Sequence, residues 1–282
     1  MYCQINHRVL PLAEASLPVT DLGLLRGYAA FDYFRFREKT PLFADRHLSR
    51  LTAAARYLGI ALPLSTGEVK EAIMNLLHKN EMDEGAIRLV LTGGSSVNAY
   101  EPGDPTLIIT TEHFQFPSAA LYEQGIKVLL HDWVRPMPEI KSTFYPEGIR
   151  LLPAIREAEA YDVLFCKEEY LSELTRSNFF IIDQQGTLVT SDRDILKGIT
   201  RHNVLELAAK RMPVEVRPLH VSELAEATEA FITGTTRRIL PVVQVAEMPV
   251  GNRRPGALTQ ALMHDLLAFE EAHLAGYKTH GR

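Results

Sequence analysis

A chain of 282 residues with 46% hydrophobic content can bury one large or two medium cores, so two domains are expected. A formal net charge of −5 leaves no basic footprint and argues against nucleic acid as the main partner. Cys3 and Cys166 have no metal spacing and make no disulfide framework, no run is long enough to span a membrane, and the N-terminus lacks a signal-type apolar region; a metal-free protein of the reducing cytoplasm is expected.

In chain order, the pattern predicts strands through about residue 43, a helix over 47–57 and another over 66–79, then strands at 86–91 and 106–111. Residues 112–119 read as a connection. Strands at 127–130 and 163–165 flank a helix around 151–160, and a final helix over 257–273 closes the chain. The run Phe179-Phe180-Ile181-Ile182, the turn Asp183-Gln184-Gln185-Gly186 and the run Thr187-Leu188-Val189-Thr190 read as a β-hairpin. No internal repeat or low-complexity tract interrupts this α+β pattern.

Chemistry concentrates around that hairpin. Glu173, in Leu171-Ser172-Glu173-Leu174, is an acid among apolar neighbours, and burying a carboxylate is costly without a partner, so something cationic or protonated is expected to face it. Farther on, Gly198-Ile199-Thr200 precedes the amphipathic run Asn203-Val204-Leu205-Glu206-Leu207-Ala208, which puts free backbone N–H groups and a threonine hydroxyl at a helix start suited to phosphate. A cofactor with a protonatable ring nitrogen at one end and a phosphate at the other meets both demands, and pyridoxal phosphate is such a molecule. It needs a lysine, for which Lys141 in Pro138-Glu139-Ile140-Lys141-Ser142-Thr143 is the outstanding candidate. Taken singly, each of these residues has an ordinary explanation as a solvated side chain or a helix start; their ordered combination does not.

Five segments in order, Asp21-Leu22-Gly23-Leu24-Leu25-Arg26-Gly27-Tyr28, then Arg46-His47-Leu48-Ser49-Arg50-Leu51, then the lysine, the glutamate and glycine-threonine segments, and last Gly234-Thr235-Thr236-Arg237-Arg238, resemble the class IV, fold-type IV pyridoxal-phosphate enzymes. That group holds branched-chain aminotransferases, D-amino acid aminotransferases and aminodeoxychorismate lyase, and the resemblance runs nearly end to end. It implies a small α/β domain (1–115), an interdomain loop (116–122) and a larger pseudo-barrel domain (123–282) carrying the lysine, with the cofactor between the domains. It further implies that Lys141 is the Schiff-base lysine, that Glu173 pairs with the pyridine nitrogen, and that Arg50, Ile199, Thr200 and Thr235 hold the phosphate, with Arg237 in the turn beside it. Tyr145 would donate to the cofactor's phenolic oxygen. A carboxylate at the ring nitrogen keeps it protonated, and the planar fork of an arginine suits a phosphate. Once displaced, Lys141 would move the proton between the substrate and the cofactor.

Relatives differ in how they hold the substrate carboxylate. Three arginines are candidates: Arg26, whose place in such enzymes belongs to the neighbouring subunit's site, Arg176, three residues beyond Glu173, and Arg88, near a strand position where branched-chain enzymes tie an arginine to a tyrosine that is Ala86 here. Phe31 would be a pocket wall and Thr236 a substrate contact in the late turn. The Arg-x-His trap of better-known D-amino acid enzymes is missing from Thr92-Gly93-Gly94-Ser95-Ser96-Val97-Asn98, so Arg26 and Arg176 would form a different one. Unpaired arginines suit a branched aliphatic side chain poorly. The reading is therefore a D-amino acid aminotransferase, with a branched-chain L-aminotransferase or aminodeoxychorismate lyase as alternatives. A non-catalytic phosphate-ligand binder would not need Lys141. The resemblance also implies a homodimer with its site near the subunit interface, acting on small amino and 2-oxo acids.

Overall fold

The structure is a computed structural model that describes the backbone of residues 1–280 and side chains through Tyr277. Its chain forms two compact units, the first made of Met1–Gln115 with Ile140–Phe144 and residues from Ala272 on, the second of Phe116–Glu139 and Tyr145–Glu271. A contiguous division near residue 115 therefore does not describe the packing, because the segment bearing Lys141 hydrogen-bonds along a strand of the first unit.

In the first unit, β1 (Tyr2–Ile5), β2 (Arg8–Pro11), β3 (Ala29–Arg37), β4 (Thr40–Pro41), β5 (Glu84–Thr92) and β6 (Thr106–Glu112) form one sheet in the order β2-β1-β6-β5-β3-β4, antiparallel throughout. Helix α1 (Leu22–Arg26) precedes β3; α2 (Ala44–Leu58) and α3 (Thr66–Lys79) follow β4. A reciprocal cap starts α3, with Ser65 Oγ accepting from Glu68 N–H and the Glu68 carboxylate accepting from Ser65 N–H at 2.7 Å. Strand alternation sorts the faces. Ala30, Phe34 and Phe36 of β3 and Ile87, Leu89 and Leu91 of β5 pack with Leu48, Leu51, Ile73 and Leu76 of the helices. Phe31, Tyr33 and Arg88 take the alternate positions, at most half-buried.

The second unit opens with α4 (Ala119–Gln124), β7 (Ile126–Asp132), α5 (Pro146–Arg150) and α6 (Leu152–Glu157). One helix around 151–160 was expected; two short ones form, because Pro153 has no N–H to give a carbonyl one turn back and so interrupts the ladder. Strands β8 (Asp162–Lys167), β9 (Tyr170–Leu174), β10 (Asn178–Ile182) and β11 (Leu188–Thr190) follow, then α7 (Ile199–Ala208), β12 (Val214–Val216), β13 (Leu219–His220), β14 (Glu229–Gly234), β15 (Arg238–Val245), β16 (Met248–Pro249) and α8 (Ala257–His280). Neighbours run β10-β14-β15-β7-β8-β9, and β9 returns to β10 through the pair Glu173 and Asn178, which closes the ring into the expected pseudo-barrel. Closure makes β10 buried on both sides and accounts for its unbroken apolar run: Phe179 and Ile181 fill the barrel with Leu164, Leu174 and Ile232, while Phe180 and Ile182 face Val204 of α7 and Leu262 and Leu266 of α8.

Phe180 is fully buried and stacked on Phe231 with centroids 4.9 Å apart. Phe180→Ala is expected to cost about 3–5 kcal/mol of stability, read as a lower denaturation midpoint together with faster hydrogen exchange in β10 and β14.

Candidate active site

Backbone pairing fixes Lys141. Residues 140–144 run antiparallel to the start of β3, with Phe31 N–H donating to Lys141 O at 2.9 Å, Thr143 N–H donating to Ala29 O at 3.2 Å, and Ser142 bridged to Ala30. This register lays Lys141 Nζ 4.4 Å from the centroid of the Phe31 ring, so the expected lysine and the expected pocket wall do meet.

One residue on, the alternation turns Asp32 toward the helices, where it is fully buried. A buried carboxylate there needs hydrogen-bond donors and a counter-charge, and α2 supplies them three residues apart on one face. Arg50 donates through Nε to Asp32 Oδ2 at 2.8 Å and through Nη2 to Oδ1 at 2.9 Å, and His47 Nδ1 lies 2.7 Å from Oδ1. Burial alone would raise the Asp32 pKa, but the charge of Arg50 and the bonds from Arg50 and His47 hold it well below the carboxylate range. For His47, burial lowers the pKa, and Arg50 and Lys141 lower it further against the pull of Asp32, so the ring is neutral near pH 7. Arg50 is thus clamped by its Nε and Nη2 edge, which leaves Nη1 outside the pair.

The other two arginine candidates of this unit are engaged on its surface. Arg88 donates to Glu112 at 2.8 Å and lies 4.8 Å from the Tyr33 ring centroid, so the tyrosine missing at Ala86 is replaced by one across the strand. Arg26 is exposed at the end of α1 and donates to the carbonyls of Ala99 and Leu25 at 3.0 and 3.2 Å.

In the second unit the barrel rim gathers the remaining candidates. Glu173 is 5% exposed, and the cation expected beside it is Arg135, which donates to Oε1 from Nε at 3.1 Å and from Nη2 at 3.0 Å. Arg135 is itself held by the carbonyls of Met137 and Pro138. The other carboxylate oxygen accepts from Leu196 N–H at 2.8 Å, and Asn178 Nδ2 lies 3.5 Å from it while donating to Leu196 O at 2.7 Å. The loop entering α7 is thereby pinned to the strand pair that closes the barrel. A Cβ on Gly198 would stand 2.3 Å from Asn178 Oδ1, so only glycine fits that entry. No side chain caps α7, and its first-turn N–H groups at Ile199 and Thr200 stay available to an anion. Thr235 and Thr236 occupy the β14–β15 turn, which packs on the β9–β10 turn: a Cβ on Gly234 would lie 3.3 Å from Ser177 Oγ.

Arg176 sits in that β9–β10 turn, exposed, with no hydrogen bond or ion pair among the described residues. Desolvation at the rim lowers its pKa and the charge of Arg237 lowers it further, opposed by Asp162, Tyr161 and Tyr145. Tyr145, at the start of α5, therefore stands within electrostatic reach of Arg176. The sequence reading missed Asp32 and Arg135. Asp32 carried a signal, being an acid in phase with Ala30, Phe34 and Phe36; Arg135, 38 residues from Glu173, carried none.

These groups fit pyridoxal phosphate: an uncapped helix start and a threonine turn for the phosphate, and a buried carboxylate whose position is fixed by a guanidinium and a backbone N–H for the ring.

Residues 29–245 match the family described as amino-transferase class IV, and the chain belongs to that family. It is a transaminase, of a class that works with pyridoxal phosphate. It is 27% identical over 276 residues to the D-alanine aminotransferase of Bacillus licheniformis, covering 93% of this chain and 96% of that protein. It is 30% identical over 277 residues to a putative branched-chain-amino-acid aminotransferase of Methanocaldococcus jannaschii, covering 93% and 94%. The crystal structure of the branched-chain amino acid aminotransferase of Escherichia coli superposes with a TM-score of 0.88 over 95% of this chain and 93% of that one, at 24% identity, which establishes the common fold.

The Asp32 cluster sets a pH dependence. Because the folded carboxyl pKa is depressed, its contribution is fully present above the unfolded value of about 4 and is lost as pH falls below it. Folding also depresses the His47 pKa, so below about 6.5 the unfolded chain binds the extra proton and stability drops with pH. His47→Asn should shrink the stability difference between pH 7 and pH 5.5, and Asp32→Asn should cost about 3–5 kcal/mol by stranding Arg50, both measured by chemical denaturation.

Proposed function

We propose that this class IV aminotransferase exchanges amino groups between D-amino acids and 2-oxo acids. The observation that carries the reading is Arg176, a guanidinium in the β9–β10 turn two residues past the strand of Glu173 and without an ion pair among the described residues. A guanidinium can bind a carboxylate through two charge-assisted hydrogen bonds, and a cationic rim disfavours branched aliphatic side chains.

In this reading Arg50, Ile199, Thr200 and Thr235 hold the cofactor phosphate. Asp32 fixes the plane of Arg50, so its free edge needs no reorganisation when the anion arrives. Glu173 receives the ring nitrogen's proton bond, and Arg135 prevents the carboxylate from swinging away. Tyr145 Oη donates to the ring's oxygen. When bound, pyridoxal phosphate supplies the electron sink that makes the substrate Cα–H acidic. Lys141 Nζ anchors the cofactor and afterwards carries the proton, with the Phe31 ring beneath it as a wall that excludes water. Arg88, paired with Glu112, and Thr236 line the substrate side.

The assembly in this reading is a cytoplasmic homodimer that lends Arg26 to the neighbouring subunit's site. Support comes from the exposed apolar residues around Arg26: Leu24 is 66%, Val97 97% and Tyr100 82% exposed, an unusual density for one loop end.

A branched-chain L-aminotransferase is the second reading, favoured by the 30% identity to relatives carrying that name. Mixing the holoenzyme separately with D- and L-isomers of alanine, glutamate and leucine, and following the absorbance of the bound cofactor, separates the two. Change with D-isomers is expected; change confined to L-leucine would replace the proposal with the second reading. Arg176→Ala should raise KM for the active D-substrate about 10–100-fold, the loss of a charged hydrogen bond of ~1.5–3 kcal/mol, with cofactor retained; an unaltered KM would remove Arg176 from the site.

A further inference from the structure

Beside Arg176 lies a second guanidinium with no acid bonded to it. Arg237 is 5% exposed, and its described partners are neutral: Nε donates to Tyr161 Oη at 3.1 Å and Nη1 to Thr236 Oγ1 at 3.1 Å, with the Tyr161 ring centroid 5.5 Å away. The Arg237 carbonyl accepts from Tyr122 Oη at 3.0 Å, so backbone and side chain are both fixed. A buried cation without a counter-ion is unfavourable, and its neighbour Arg176 carries the same charge.

Two buried hydroxyls, one in the β9–β10 turn and one near the end of β14, point to a missing ligand. Ser177 Oγ and Thr233 Oγ1, in residues 5% and 1% exposed, have no hydrogen-bond partner among the described residues. Ser177 abuts Gly234, and Thr233 pairs with Asn178 across β10 and β14. One acid, Asp162, acts on Arg176. Its Oδ1 is taken by Val163 N–H at 2.8 Å and Thr175 Oγ1 at 2.6 Å, and its Oδ2 has no partner among the described residues. Two guanidiniums against one carboxylate leave a single positive charge. That surplus matches one carboxylate group and falls short of a phosphate dianion.

We propose that Arg237, held in place by Tyr161 and Thr236, is the buried anchor of the substrate carboxylate site, with Arg176 as its solvent-reaching second arm. Its Nη2, outside both described bonds, is the donor available to the ligand. Tyr161 acts as a positioning residue through its Oη on Nε. The inference rests on the transaminase reading of the site and holds for either enantiomer. It assigns Arg237 to the substrate and not to the cofactor phosphate beside which the sequence placed it.

The test uses holoenzymes of the wild type, Arg237→Gln and Tyr161→Phe with whichever amino acid isomer the wild type converts, and acetate as a competing carboxylate. Arg237→Gln should raise both KM and the acetate inhibition constant about 10–100-fold, with kcat within about threefold and the cofactor dissociation constant unaltered. Tyr161→Phe should shift both constants the same way by a smaller factor, and it decides the matter if the glutamine variant does not fold. Unaltered KM and inhibition constants would overturn the proposal. So would a weakened cofactor dissociation constant with normal KM, since Arg237 would then serve the phosphate. Conversion of L-isomers alone by the wild type would refute the D-specific reading and leave this one standing.

Discussion

A carboxylate buried where a barrel closes is the constraint on which the second unit depends. Glu173 and Asn178 are the register pair that joins β9 to β10, so the acid cannot leave without opening the ring. Its charge has to be met in place, and Arg135 meets it with two hydrogen bonds to one oxygen. The other oxygen binds the backbone of Leu196, which sets where α7 begins and thus where its uncapped N–H groups lie. One ion pair therefore aligns a strand junction, a helix start and a potential ring partner.

The first unit repeats this device. Asp32 occupies a core-facing position in β3 and is met by Arg50 and His47 from one face of α2. Its immediate neighbour Phe31 faces the other way and receives Lys141. Strand alternation alone thus separates the acid that orients Arg50 from the ring against which the Lys141 amine lies. In both units a buried acid fixes a guanidinium to the scaffold, Arg50 in the first and Arg135 in the second.

Much of this was legible in the chain because it is local. The helix at Thr66–Lys79 follows from apolar spacing and the Ser65–Glu68 cap, and the β10–β11 hairpin from its turn residues. The demand of Glu173 for a cation could be deduced from its apolar neighbours; the identity of Arg135 could not, since contact across 38 residues leaves no periodic mark. Lys141 could be picked out by its motif, whereas its pairing with β3 arises from an irregular segment whose hydrogen bonds no pattern encodes. The partners of Arg88 were not legible either, since Glu112 and Tyr33 reach it from neighbouring strands. Least legible was the meeting of the turns at 175–177 and 235–237, whose side chains converge only after folding.

The most direct test of the account is nitrogen NMR of the holoenzyme carrying cofactor labelled with ¹⁵N in its ring. If Glu173, held by Arg135, faces that nitrogen, the wild-type shift is that of a protonated pyridinium, and Glu173→Gln moves it toward the unprotonated value. The same shift in both proteins, or an unprotonated ring in the wild type, would contradict it.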